Sequence, residues 1–549
     1  MRRSLAGALA LALAAGPAAA ADRAVGDLLD ANAAAHGAAG LGAVFDGSRA
    51  AGGDAIVVVP RSSAARAGAV AALAKSSATA AAATAAAPVV SPTPASGISD
   101  GWLGPYREGD FVLGTGRCPS CRGPLEGKWY FLDDVIATPK SGPPAIVWIG
   151  SHRLFEHATL LADGLHVRLA DGTVMPFQLV PRLATNQSWY DASSLAYLRG
   201  RTLRIRGEIA EIGGVPTLVA RTLWPEDFRL DPARLRESMA DATSRGIDGL
   251  VAADDGGAKK PFQQELLWER PGEGRDWDGR PVMGFMLNGA QGDDDEAKAG
   301  HFSMFTGRVG PHGSMADWMF DNFYDMDTVS EKGIISAMVP MDKYMTDLNA
   351  GQSWYRPTDM LVFVMKDDSL TLKIQELFKQ RYAQYYAHTI RYDHTKNPCT
   401  ALIVDPLAQE GWHYPKDGPT PKIVARLFAS FVSRIGGGPK AGAEVYGLLR
   451  QEPTHLFPRA AFDSLGGDVL SLEGAYGAEP LGRELDPFEK ALRDGLLAVV
   501  WVRIPQIPSS RAYGADPAGG VLDYFRRVPL DRSKWRTVPT PPRPFPPPH

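Results

Sequence analysis

The chain has 549 residues, of which 45% are hydrophobic, 22% charged and 9% aromatic. That composition belongs to a globular protein of about three or four domains, and excludes a disordered or fibrous chain. Its net charge of −4 excludes a strongly basic nucleic-acid binder, and its 3 cysteines exclude a disulfide-dense scaffold and a four-thiolate zinc site.

The N-terminus joins Arg2-Arg3 to an uncharged run from Leu5 to Ala15, then Gly16-Pro17 and small residues to Ala21. A basic start, a short apolar stretch and an A-x-A site form a secretory signal, expected at 1–21. The expected location is therefore the periplasm or the outside of a bacterium. No later stretch is apolar enough to span a membrane, so no transmembrane segment is expected once the signal is removed. Residues 22–98 are expected to hold a short helix around Val25, Leu28 and Leu29 and one strand from Ala55 to Val59, then an Ala/Ser/Thr/Pro-rich linker with little to bury.

Residues 99–231 are expected to form a β-rich barrel or sandwich domain. Strands are expected at Lys128 to Leu132, Ala145 to Ile149, Leu165 to Leu169 and Leu203 to Ile209, with turns at Asp171-Gly172 and Gly213-Gly214. The phrase Leu198-Arg199-Gly200-Arg201-Thr202-Leu203-Arg204-Ile205-Arg206 resembles a strand of oligonucleotide/oligosaccharide-binding (OB) barrels. Its arginines are expected on solvated strand faces. Residues 232–280 form a connector. The acidic run Asp293 to Glu296 is expected to be a solvated loop, because calcium needs oxygens arriving from several directions.

Residues 281–410 carry the densest pattern: strands at His301 to Phe305, Trp318 to Met326 and Asp359 to Met365, and a short helix at Met341 to Leu348. An amphipathic helix follows from Leu370 to about His388, with Ser369 as its cap. A further helix opens just after Cys399. The remaining 411–549 are an extension. It holds a helix from Pro421 to Ile435 with Ile423, Leu427 and Phe431 on its apolar face, a strand from Leu496 to Ile504, and a proline-rich tail that lies extended.

Cys118 and Cys121 form a C-x-x-C. In an oxidising compartment this reads as a local disulfide, with a zinc half-site and a redox pair as the alternatives. Cys399 is left over. At a helix N-terminus, free N–H groups and the dipole favour its thiolate, the reactive form, and a catalytic thiol also needs an imidazole. The alternative is a buried, inert cysteine. The histidines form no H-x-x-x-H pair with a glutamate base, so neither a metal nor another cofactor is expected.

Gly300-His301-Phe302-Ser303-Met304-Phe305, Asp321-Asn322-Phe323-Tyr324, Tyr355-Arg356-Pro357-Thr358 and Asn397-Pro398-Cys399-Thr400 occur in that order. Together they resemble the Lnb N-terminal periplasmic domain family and, more widely, permuted papain-like (NlpC-like) cysteine hydrolases. The resemblance covers roughly residues 280–410. It implies an α+β multidomain protein with Cys399 as nucleophile and His301 as general base. Asn322 or Asp325 would orient the imidazole, Tyr392 would help an oxyanion, and Asn397 sits where the pattern has an Asn directly before Cys. Pro398 intervenes here. The implied function is a thiol-dependent hydrolase or acyltransferase acting on an amide or ester of an envelope peptide, peptidoglycan or lipid. A non-catalytic periplasmic scaffold or binding protein is the alternative.

Overall fold

The computed structural model describes residues 153–180, 190–237, 246–251, 261–295, 297–323, 338–348, 350–386, 389–390, 392–393, 396–414, 419–434, 438–475, 481–528 and 534–536. It also describes four short earlier strands: β1 (Val57–Pro60), β2 (Phe111–Gly114), β3 (Asp134–Ala137) and β4 (Val147–Trp148). The expected signal, the Cys118/Cys121 pair, Asp325 and the proline-rich tail lie outside the described residues.

The architecture is mixed α+β with two sheets. The smaller contains β5 (Arg153–Leu160), β6 (His166–Arg168), β7 (Val174–Leu179), β8 (Thr202–Ile212) and β9 (Val215–Pro225), with helix α1 (Ala192–Leu198) between β7 and β8. Its pairing order runs β5-β6-β7-β9-β8 and returns to β5, with β7 and β9 parallel and the other pairs antiparallel. The turn at Gly213-Gly214 has φ of 60° and 80°, which glycine adopts without steric cost.

The larger sheet has the order β1-β2-β3-β4-β15-β14-β13-β12-β16-β17-β11-β10. Its remaining members are β10 (Arg236–Glu237), β11 (Gln263–Glu269), β12 (Pro281–Asn288), β13 (His301–Arg308), β14 (Met319–Asp321), β15 (Met338–Pro340), β16 (Thr358–Met365) and β17 (Leu496–Ile504). Strands β12, β16 and β17 are buried throughout their length, and β13 all but its last residue. They read as near-continuous apolar runs because elements cover both faces. The helices that matter below are α2 (Met341–Thr346), α3 (Ser369–Tyr386), α4 (Cys399–Gln409), α5 (Lys422–Val432) and α6 (Pro458–Leu472).

Several expectations change here. The strands assigned to one β-rich region divide between two sheets, since β2, β3 and β4 join the larger one. The C-terminal extension supplies β17, which sits between β16 and β11. Ser369 is the first residue of α3 and not its cap: the first helical bond runs from the Leu372 N–H to the Asp368 carbonyl, and Asp367 Oδ1 accepts from the Ser369 N–H at 2.9 Å. On α5 the apolar face is rotated: Ile423 and Leu427 are exposed, while Ala425, Phe428, Ala429 and Val432 are buried.

Arg204 and Arg206 are not solvated. Both are buried, and each donates its Nε–H to Asp342 Oδ2, at 3.1 and 2.8 Å. Arg221 donates to Asp347 at 2.8 Å, and Lys343 reaches the same carboxylate at 3.0 Å. These pairs dock the small sheet onto α2, and Leu348, Trp354, Tyr355 and Ile507 complete the small sheet's apolar core. The acidic run is not a solvated loop either. Asp294 and Asp295 are buried, Asp295 accepts from Arg536 at 3.0 Å, and Asp293 faces Arg511 at 2.7 Å. Charges of opposite sign, brought from more than 200 residues away, offset the desolvation that burial imposes.

Candidate active site

Three loops meet where β13 begins and β12 ends. Gly300 enters β13 with φ of 81°, and a Cβ there would lie 2.5 Å from the Asn288 carbonyl oxygen. Glycine is therefore required immediately before His301. His301 is the cross-strand partner of Asn288, which in turn partners Thr358 on β16. Directly opposed residues present their side chains on one face, so the three form a polar row across β13, β12 and β16. Asn288 Nδ2 donates to Thr358 Oγ1, and the Tyr344 hydroxyl donates to Asn288 Oδ1, both at 2.7 Å.

His301 Nε2 lies 2.9 Å from Asn322 Oδ1, just beyond β14. An amide oxygen only accepts, so Nε2 carries the proton and the basic lone pair is on Nδ1. Of the two candidates for orienting the imidazole, Asn322 makes this bond and Asp325 lies outside the described residues. Tyr382 of α3 donates to the Asn322 carbonyl at 3.1 Å, holding the backbone that carries the amide.

Cys399 is the first residue of α4, with Pro398 as an N-cap that supplies no side-chain hydrogen bond. The pyrrolidine suits that position because it has no N–H to satisfy. The Thr400 hydroxyl lies 3.9 Å from the sulfur, and the backbone N–H of Phe302, adjacent to His301, and the Tyr392 hydroxyl act on the thiol in the direction that favours its thiolate. Asn397 forms an antiparallel bridge with Asp393, closing the loop that presents Tyr392.

The electrostatics differ from the helix-dipole expectation. Burial pushes the Cys399 thiol up, and this outweighs the donors around the sulfur. Burial lowers His301 to about 3; the positive charge of Arg356 adds to that, and the bond to Asn322 opposes it. Neutral thiol and neutral imidazole are therefore the resting forms near pH 7. Cys399 is 5%, His301 3% and Arg356 4% exposed, so the cluster is nearly closed to solvent.

Two polar residues here carried no role in the sequence reading. Arg356 was visible only as part of the Tyr-Arg-Pro-Thr text. Asp321 lies beside Asn322, fully buried, and neither carboxylate oxygen has a hydrogen-bond partner among the described residues. Its burial raises its pKa well above the ordinary carboxylate range.

Other candidate places are less specific. His312 is exposed in a turn with φ of 57°, at a surface cleft of about 650 Å³ that shares no residue with the cluster. His388 and His394 lie outside the described residues. His413, Asp486 and Glu489 bring potential metal-ligand atoms within 4.8 Å of one another. Glu489 is occupied by Arg483 at 2.6 Å, and its bonds to Arg483 and to backbone N–H groups hold it down at about 2. Among the described residues no helix is long and apolar enough to cross a membrane. No protein-family profile matches the chain, and neither a curated protein nor a solved structure matches it.

Proposed function

We propose that this is an exported bacterial envelope protein acting as a thiol-dependent hydrolase or acyltransferase, with a permuted papain-like site built on β13 and α4. The observation that carries the reading is Cys399 at the start of a helix that packs against β13, the strand whose first residue is the Asn322-held His301. In this mechanism the thiol proton passes to His301 Nδ1 as the sulfur attacks an amide or ester carbonyl. The resulting imidazolium then protonates the leaving amine or alcohol. Water or an acceptor amine, deprotonated by the same nitrogen, releases the acyl group from sulfur. Asn322 holds the ring through the Nε2–H bond, and the helix-start N–H groups with the Tyr392 hydroxyl are the oxyanion donors. Export rests on the N-terminal sequence. The cyclic strand order, with a parallel β7–β9 pair and a helix between β7 and β8, supports an OB-like reading of the small sheet. Its role is to seat the Trp354-Tyr355 segment that leads into the site.

The test is acylation by p-nitrophenyl acetate, followed by peptide mass spectrometry. A burst of nitrophenolate and an acetyl group on Cys399 are expected. Both should disappear in Cys399→Ala and fall by roughly 100-fold or more in His301→Ala, the usual range for lost acid–base catalysis. Equal acetylation of Cys399 in His301→Ala would overturn the mechanism. The second reading, a non-catalytic scaffold, is favoured by the buried sulfur and its raised pKa, and predicts no acetylation of Cys399 until the chain is unfolded.

A further inference from the structure

Buried cations among the described residues follow one rule, with one exception. Arg204 and Arg206 meet Asp342, and Arg221 and Lys343 meet Asp347. Arg511 meets Asp293, Arg503 lies 4.0 Å from Asp359, and Lys298 lies 3.6 Å from Asp295. Arg356 alone has no carboxylate. Its Nε and Nη2 donate to Gln352 Oε1 at 2.9 and 2.6 Å, and its Nη1 donates to the Gly289 carbonyl at 3.2 Å. A guanidinium has five N–H donors, so two are left without an acceptor among the described residues. A buried charge held only by neutral oxygens is costly, and a structural staple between two loops needs no charge at all.

The position of this charge gives it a use. Gly289 follows Asn288, the cross-strand partner of His301, so the guanidinium is anchored at the same end of the sheet as the imidazole. It is close enough for its field to act on His301. We propose that Arg356 receives a carboxylate of the substrate, so that the bond cut at Cys399 lies next to a free acid group. A single planar guanidinium matches one carboxylate in charge and in its forked geometry. The next buried arginine, Arg511, is already neutralised by Asp293, which leaves no second buried cation among the described residues for a phosphate dianion. This inference rests on Cys399 being the nucleophile, and it narrows the substrate to an acyl compound or peptide with an acid group beside the scissile carbonyl.

The test compares two alkylating reagents of similar size, iodoacetate and iodoacetamide, on the full-length protein. Labelling is read at Cys399 by peptide mass spectrometry and normalised to N-acetylcysteine. The protein should prefer the anionic reagent by about tenfold or more over that reference, as expected when a charge pair forms away from bulk water. Arg356→Gln should abolish the preference and Arg356→Lys should keep part of it. An unchanged preference in Arg356→Gln, or none in the unmodified protein, would overturn the carboxylate site and leave the nucleophile standing. The unmodified protein decides the matter even if Arg356→Gln does not fold. Failure of both reagents to label Cys399 in the folded chain would remove both readings.

Discussion

Arg204, Arg206 and Arg221 enter the seam between the two sheets as full charges, and every one meets an aspartate from α2 or the residue after it. His301, Asn322, Cys399 and Arg356 are just as deeply buried, yet no pair among them carries opposite charges at rest. Both regions take polar groups out of water; they differ in what balances the loss. In the seam the balance is internal, so the pairs fix where the small sheet sits and nothing further is asked of them. In the cluster the imidazole and thiol are kept neutral by desolvation, and the one cation is left unneutralised. That arrangement is stable only because most members are uncharged. It changes character when a proton moves or an anion arrives, which a seam of closed ion pairs does not do.

The largest effect that would break this contrast is expected in the seam. Asp342→Asn leaves Arg204 and Arg206 without their shared carboxylate and should cost about 3–5 kcal/mol, the range for an uncompensated buried charge. Urea unfolding would measure it, and a loss under about 1 kcal/mol would show that Asp317 and Glu156 suffice for Arg204. A smaller effect belongs to the cluster. Asn322→Ala removes a bond that sets the tautomer and angle of the His301 ring. It should slow Cys399 acetylation by roughly 10–100-fold, the scale seen when an orienting partner is lost, with little change in urea midpoint. An equal drop in stability and rate would mean that Asn322 only holds β14 in place.

How much of this could be read from the chain follows from the range of each interaction. The apolar runs at β13, β16 and β17 and the spacing of Leu370, Ile374, Leu377 and Phe378 report local structure directly, and those elements form close to where they are expected. His301, Asn322 and Cys399 were named as a group through their order in the chain, and two of them are hydrogen-bonded to each other. The burial of Arg204 and Arg206 is not legible locally, because alternation along a strand separates two faces without saying what covers either. Their partner Asp342 lies 138 and 136 residues away. The burial of the acidic run is hidden for the same reason, since Arg511 and Arg536 come from the far end of the chain. Arg356 could be seen but not interpreted. What distinguishes it is a missing counter-charge, a property of the folded surroundings and not of any motif.

The finest test of the contrast is Asp321, a carboxyl that belongs to neither pattern. It sits on β14 opposite Met304, fully buried, with no hydrogen-bond partner for either oxygen among the described residues. Burial raises its folded pKa well above the ordinary 3.8, so the folded protein holds a proton there that the unfolded chain gives up. A raised folded pKa contributes stability below the unfolded value and loses that contribution as pH rises towards the folded one. Asp321→Asn keeps the shape and removes the titration. It should raise stability by about 1–2 kcal/mol at pH 7.5, the order of an unmet desolvation cost, and by less at pH 4.5. Thermal melts of both proteins at the two pH values would measure the difference. A variant that is less stable at pH 7.5 would mean that the Asp321 carboxylate is used as an anion, and Asp321 would then join the cluster around His301 as a functional group.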